Sequence, residues 1–284
     1  MDKEVDEERK KKWAVFIAAL LRAMINSEGV EDALYNLAEQ RTQEAWEHAL
    51  LGFDMDYESA LGLINNTDIQ DLTKEQIALR DRLIAALDNL IDFSTCEEYQ
   101  LYQDAQDILP EIEEYPEDDE EFLEPYLAIN TKYNDTYADV ENGDIEYAAA
   151  MATMWIKLKE DAYMTYMTQN DDRVRPWHLA LQGYTAKRSE FPSWMIPPIE
   201  WACRCYLASE SGNEYAKNPN IQRVKAAAQK EEPKKPEELD GVFKESLCQC
   251  GRIFSDEHPY FEVEESDVNM LTNIVTKLRS KYYG

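Results

Sequence analysis

Between Glu97 and Glu124 the chain places 13 acidic residues and not one Lys or Arg, with Pro110, Pro116 and Pro125 punctuating the run. Like charges repel one another and stay in water, and each proline removes a backbone donor, so the stretch reads as a solvated acidic helix passing into a linker. It divides the chain into residues 1–96, a junction at 97–125, and residues 126–284. The acids from Glu117 to Glu121 lack the Asp and Gly spacing of a calcium loop, whose oxygens must converge from fixed positions. The whole chain is acidic too: 58 Asp and Glu against 29 Lys and Arg give a net charge of −29. Such a surface repels phosphate backbones and anionic headgroups, which excludes a DNA-coating role except through a local basic patch. With 44% hydrophobic residues, 9 Gly and 11 Pro in 284 residues, there is enough apolar material for packed cores.

The first segment reads as helices. The run from Trp13 to Ile25 is too densely apolar for an exposed amphipathic helix and calls for several neighbours, with Arg9 to Lys12 as its solvated lead-in. A second helix over 31–51 lines up Leu34, Leu37, Ala38, Ala45, Ala49 and Leu50. Thr73 and Gln76 have capping-box spacing, and Ile77, Ile84, Leu87 and Ile91 repeat at helical intervals, which predicts a helix over 74–93. The longest uninterrupted apolar stretch, Trp13 to Leu21, is nine residues, against about 20 for a membrane span. The expectation is a chain with no membrane segment and no secretory leader, made in the cytoplasm of its host.

Beyond the junction, helix is expected from about Tyr126 to Ala162 with a break at Asn142-Gly143, and a final helix over 265–281. Residues 165–206 hold Pro176, Pro192, Pro197 and Pro198, three tryptophans, Cys203 and Cys205, as suits a compact, irregular region pinned by side chains. Residues 229–241 read as an exposed loop. The fold class that follows is α+β and predominantly helical, with little strand: a helical N-terminal region, then a compact C-terminal domain.

The informative text lies in residues 165–207. Asp171 and Asp172 stand beside Arg173 and Arg175, an arrangement that offers bidentate ion pairs able to shape a loop, and Pro176 starts a short helix bearing His178. The ordered set Tyr133-Asn134, Asp171-Asp172-Arg173-Val174-Arg175-Pro176-x-His178, Ala180-Leu181-x-Gly183 and Pro197-Pro198-x-x-Trp201-x-Cys203-Arg204-Cys205 resembles the signature of the phage Mu protein F family. These are minor head, or head-morphogenesis, proteins of tailed phages. The likeness covers residues 126–207 well, and Ile253-Phe254 through His258-Pro259-Tyr260-Phe261 resembles a later family segment more loosely. The sequence departs from the pattern at Glu200, where the family often has Gly, and at Glu190-Phe191-Pro192-Ser193-Trp194, where it usually carries an Asp-Pro-Phe-Trp-like stretch.

The resemblance implies a virion component near the portal vertex, acting in capsid assembly, genome packaging or genome ejection, with the portal protein and other capsid proteins as partners. It implies a head-morphogenesis domain over 126–284 whose motif residues are structural, and no catalytic centre. The chain itself carries no Gly-rich phosphate loop, no His-Glu-x-x-His and no Gly-x-Ser-x-Gly. A second reading is an acidic adaptor or DNA mimic that binds a basic partner through residues 97–124. Lys217, Arg223, Lys225, Lys230, Lys234 and Lys235 form a local basic patch, a solvated surface by default and a contact for packaged DNA as the sharper reading.

Six soft donors, His178, Cys203, Cys205, Cys248, Cys250 and His258, make zinc a candidate cofactor, since four Cys or His donors close a tetrahedral site. Cys-x-Cys is tighter than the usual Cys-x-x-Cys. Buried free thiols beside a hydrogen-bonded histidine, or a disulfide, account for the same residues.

Overall fold

The computed structural model describes residues 3–117, 119–210, 241–249 and 251–283. Helices dominate: α1 (Lys3–Asn26), α2 (Val30–Phe53), α3 (Tyr57–Ile64), α4 (Lys74–Ile108), α5 (Glu120–Thr131), α6 (Ala138–Lys157), α7 (Pro176–Leu181) and α8 (Val268–Tyr283). Three short strands, β1 (Tyr163–Met167), β2 (Thr185–Lys187) and β3 (Tyr206–Glu210), form one antiparallel sheet in the order β2-β1-β3. The mainly helical α+β class expected from the sequence is the one observed. The basic patch at 217–235, all of the loop expected at 229–241 except Gly241, and Cys250 lie outside the described residues.

The chain forms two compact units that do not follow its linear order. One comprises residues 1–47, 87–142 and 259–284, the other residues 48–86 and 143–258. The dividing points fall inside α2, α4 and α6, because a long helix can offer one apolar stretch to each of two cores.

In the first unit, α1 buries Trp13, Ile17, Leu20 and Leu21, and α8 buries Leu271, Ile274, Leu278 and Tyr282, both at helical intervals. α5 packs on α1, and Asp119 caps α5 by accepting from the Phe122 amide at 3.0 Å. The Thr73–Gln76 capping box at the start of α4 is formed reciprocally: the Thr73 amide donates to Gln76 Oε1 at 2.9 Å and the Gln76 amide to Thr73 Oγ1 at 3.2 Å. This helix continues 15 residues past the expected end at Phe93, to Ile108. The residues it buries from 94 to 98 include Ser94, Thr95, Glu97 and Glu98, so its inward face turns polar and the hydrophobic periodicity fades while the helix does not. The acidic stretch is therefore not one solvated block. Residues 97–108 complete α4, and of the acids at the junction Glu97 and Glu98 are fully buried.

Arg41 explains that burial. Its side chain is completely enclosed and donates through Nε to Glu97 Oε2 at 2.6 Å, through Nη2 to Glu141 Oε2 at 2.8 Å and through Nη1 to Asn142 Oδ1 at 2.9 Å. Tyr260 Oη donates to the other oxygen of Glu141 at 3.2 Å. Burial pushes the Glu97 carboxyl well above its usual range, against the pull of Arg41, and pushes Glu98 up to about 8. The bond to Arg41 also accounts for the missing break at Asn142-Gly143: Asn142 is tied down inside α6 and the helix runs through both residues. The irregularity comes earlier, as a π-helical turn over Lys132–Tyr137.

In the second unit, α2 and α6 approach so closely at Gly52 that a Cβ there would stand 2.1 Å from the Glu146 carbonyl oxygen, and no side chain fits. β1 alternates in burial, with Met164 and Tyr166 inward. It pairs Thr165 with Thr185 on one side and with Ala208 on the other. Gly183 takes φ +83 between α7 and β2 and donates its amide to the Tyr166 carbonyl at 2.8 Å, a turn that favours glycine. A second small core joins Trp201, Phe243, Phe254 and His258, whose rings lie 5.0–5.7 Å apart centroid to centroid.

Candidate functional site

α7 is only six residues long, and its geometry is set by Pro176 at its first turn, which supplies the helical φ without a missed hydrogen bond. It carries His178 inward, with 2% of the side chain exposed. The Trp177 ring stands edge-on against the imidazole, with centroids 4.0 Å apart.

The loop from Pro197 to Cys205 supplies the other half. Its Pro197-Pro198 peptide is cis, and Ala202 takes φ +53 with its amide donated to Asp144 Oδ2 at 2.9 Å. The Cys203 amide donates to the Glu200 carbonyl at 3.1 Å, and the Tyr147 hydroxyl donates to the Cys205 carbonyl. These bonds hold Cys203 and Cys205, both buried, toward the same histidine.

His178 Nδ1 lies 3.3 Å from Cys205 Sγ and 3.9 Å from Cys203 Sγ, while Nε2 lies 3.0 Å from Glu200 Oε2. The three donor atoms of His178, Cys203 and Cys205 fall within 4.8 Å of one another, the one such group of metal-ligating side chains among the described residues. Glu200 is itself paired with Arg175 Nε at 2.9 Å, and the Arg175 Nη2 donates to the Trp201 carbonyl at 2.7 Å. The neighbouring Cys203 thiol lowers Cys205 to about 7, helped by Arg175 and Arg204, while Cys203 is pushed up by the Cys205 thiol and by burial.

The ion pairs expected within Asp171-Asp172-Arg173-Arg175 form between segments instead. Asp171 grips Arg204 through both oxygens, at 2.7 and 2.8 Å, which holds its carboxyl below the usual range, and Arg175 goes to Glu200. Arg173 gives its amide to Asp171 Oδ1 at 3.1 Å, closing a tight turn. Nothing in the structure gives Asp172 more than a distant charge effect on Arg204.

Of the six soft donors singled out in the sequence, the structure gathers three. Cys248 is buried elsewhere, its carbonyl accepting from Arg82 at 3.0 Å, and His258 belongs to the aromatic core, where burial lowers it to about 4. Sequence reasoning missed Glu200, Tyr166, Tyr147 and Asp144. Only Glu200 had left a trace, as a charged residue where the family pattern favours glycine.

The sequence model of the family described as Phage Mu protein F like protein matches residues 105–208. The Mu-like prophage FluMu F protein of Haemophilus influenzae is 40% identical over 72 residues, which is 25% of this chain and 17% of that protein's length. No solved structure matches the chain significantly. The segment that builds the His178 and Cys-x-Cys arrangement thus lies within residues 105–208, the part of the chain that is similar to the phage Mu protein F like family, while the chain spans about a sixth of the length of the curated relative it matches.

Proposed function

We propose that this protein is a structural component of a tailed-phage head, acting in head morphogenesis through contacts with other capsid proteins. The family match over residues 105–208 carries the reading. Its finer form places the chain at the portal vertex, with the portal protein as its partner and a part in genome packaging or ejection. The mechanism is assembly, not turnover. In the segment shared with the family, the polar groups are spent on holding backbone: Arg175 on the Trp201 carbonyl, Asp144 on the Ala202 amide, Tyr147 on the Cys205 carbonyl. The residue types Glu200, His178 and Cys205 stand in the order of a nucleophilic triad, but Cys205 is 3% exposed and His178 2%, out of reach of a substrate.

The net charge of −29 supports a further feature, that repulsion from packaged DNA keeps the chain from being trapped on the genome. Among the described residues no helix is long and apolar enough to cross a membrane, in keeping with a particle-bound protein.

Quantitative mass spectrometry of density-purified particles tests the reading. The expected result is this chain present at low copy relative to the major capsid protein, with cross-links to the portal. Its absence from particles, with abundance in the lysate and capture of a basic partner through residues 111–124, would replace this proposal with the acidic adaptor. That segment remains the exposed part of the acidic run, with Glu111, Glu113, Glu114, Glu117, Asp119, Glu120, Glu121 and Glu124 all in solvent.

A further inference from the structure

We infer that His178, Cys203 and Cys205 bind one zinc ion in a buried site, with Glu200 orienting the histidine. The inference stands on the arrangement and charge of these side chains and is independent of the role in head assembly.

Zinc holds sulfur at about 2.3 Å and imidazole nitrogen at about 2.0–2.1 Å, so at tetrahedral angles its donors stand about 3.5–3.8 Å apart. The separations from His178 Nδ1, 3.3 Å to Cys205 Sγ and 3.9 Å to Cys203 Sγ, bracket that spacing. All three donor atoms lie within 4.8 Å of one another, close enough to share one ion.

The orientation of the imidazole is the second, independent observation. A metal-bound histidine normally donates its remaining N–H to a carboxylate, which fixes the tautomer and the plane of the ring. Here Nδ1 faces the sulfurs and Nε2 faces Glu200 Oε2 at 3.0 Å, and Glu200 is held in turn by Arg175. The carboxylate is on the far side of the ring from the sulfurs, so it acts on the histidine and not on the ion.

Charge gives the third reason. Two thiolates and a neutral imidazole around Zn²⁺ sum to zero, and the Glu200 carboxylate is balanced by Arg175. A neutral centre is the one that three side chains with exposures of 2–4% can enclose at low cost. The loop that presents the thiols is pinned by the Asp144–Ala202 and Glu200–Cys203 bonds, so Cys203 and Cys205 turn to the same side despite their tight spacing. Three protein ligands leave the fourth corner to a water molecule. On binding, the thiol protons pass to solvent and no electron moves.

The test uses the full chain produced without added affinity histidines. Elemental analysis should give close to one zinc per chain, retained in Cys248→Ser and lost in the Cys203→Ser/Cys205→Ser double variant. Because that double variant removes buried groups, the deciding measurement is made on the native chain. After chelation and titration with Co²⁺, it should show the thiolate-to-cobalt charge-transfer band and visible bands of a tetrahedral site, saturating at one equivalent. Glu200→Gln keeps all three ligands and should weaken zinc binding roughly 10- to 100-fold in competition with a chromogenic chelator. A folded native chain that takes up neither zinc nor cobalt overturns the proposal, as does a Cys203–Cys205 disulfide in the freshly isolated protein. An unchanged zinc affinity in Glu200→Gln overturns the orienting role of Glu200.

Discussion

Arg41 and His178 occupy equivalent predicaments in the two compact units: each is a polar nitrogen base with essentially no exposed side chain, 0% and 2% respectively. The first unit answers with hard oxygen acceptors, and the answer overshoots. Glu97 and Glu141 bring two carboxyls to one guanidinium with Glu98 buried beside them, and burial pushes Glu97 and Glu98 above the usual carboxylate range. The second unit answers with soft donors around an imidazole, and puts its fixed charges, Asp171, Arg175 and Arg204, at the partly exposed rim. Buried charge is expensive unless paired and hydrogen-bonded, whereas a thiol can stay neutral or bind an ion. The first arrangement therefore ties stability to pH, and the second is suited to tie it to a metal.

Breaking the Arg41 network should produce the largest effect. Arg41→Ala leaves Glu97 and Glu141 buried without their counter-ion, and chemical denaturation should show a loss of roughly 3–5 kcal/mol. A loss comparable to that of an exposed ion pair would mean that the network is solvated and the contrast between the units is false.

Glu98 sharpens the contrast through pH. Its folded pKa of about 8 lies above the ordinary glutamate value of 4.5, so the native state holds a proton that the unfolded chain releases. Stability linked to this group is complete below about pH 4.5 and is lost as pH rises toward 8. Burial is the main cause of the rise, and the Asn134 side chain and the Arg41 charge oppose it. Glu98→Gln should match the parent near pH 4.5 and exceed it at pH 8, by an amount on the order of a few kcal/mol. Equal pH profiles for the two proteins would show that Glu98 is ionised and compensated.

His258 titrates in the opposite sense. Burial lowers it from 6.5 to about 4, so the native state binds fewer protons than the unfolded chain, and stability present above pH 6.5 is lost as pH falls toward 4. His258→Phe keeps an aromatic ring against Trp201 and Phe254 and should flatten that acid limb of the thermal stability profile. An unaltered acid limb would place the titration elsewhere.

Asp171→Asn should have the smallest effect. It removes the bidentate pair with Arg204, but both partners are more than a third exposed, and surface pairs contribute little. The melting midpoint should hardly move, and the difference should shrink further in high salt. A large shift would show that the rim, not the buried donors, fixes the Cys-x-Cys loop.

Local signals carried the sequence reading where local physics decides structure. The Thr73–Gln76 capping box and the apolar stripes of α1, α2 and α8 act within a few residues of themselves, so they are legible without the fold. The length of α4 was hidden because its buried face from Ser94 to Glu98 is polar, and periodicity measures hydrophobicity, not burial. The break expected at Asn142-Gly143 failed for a related reason: Arg41 lies 101 positions away, and its bond to Asn142 overrides local propensity.

The candidate site shows the same division. Residue types and order in 171–178 and 197–205 were enough to suggest the family and to name His178, Cys203 and Cys205 as donors. They could not separate these three from Cys248 and His258, because coordination depends on where atoms converge and not on what they are. Nor could they show that Arg175 would choose Glu200 over its neighbours Asp171 and Asp172. By itself the sequence determined a helical, acidic chain and a likeness, over residues 105–208, to a phage head family, since composition, period and motif order are properties of the line of residues. Only the tertiary structure decided that Glu97 and Glu98 are buried, that one histidine meets two thiols, and that a glutamate at a position often held by glycine aims that histidine. Those outcomes rest on distances between residues far apart in the chain, which packing sets.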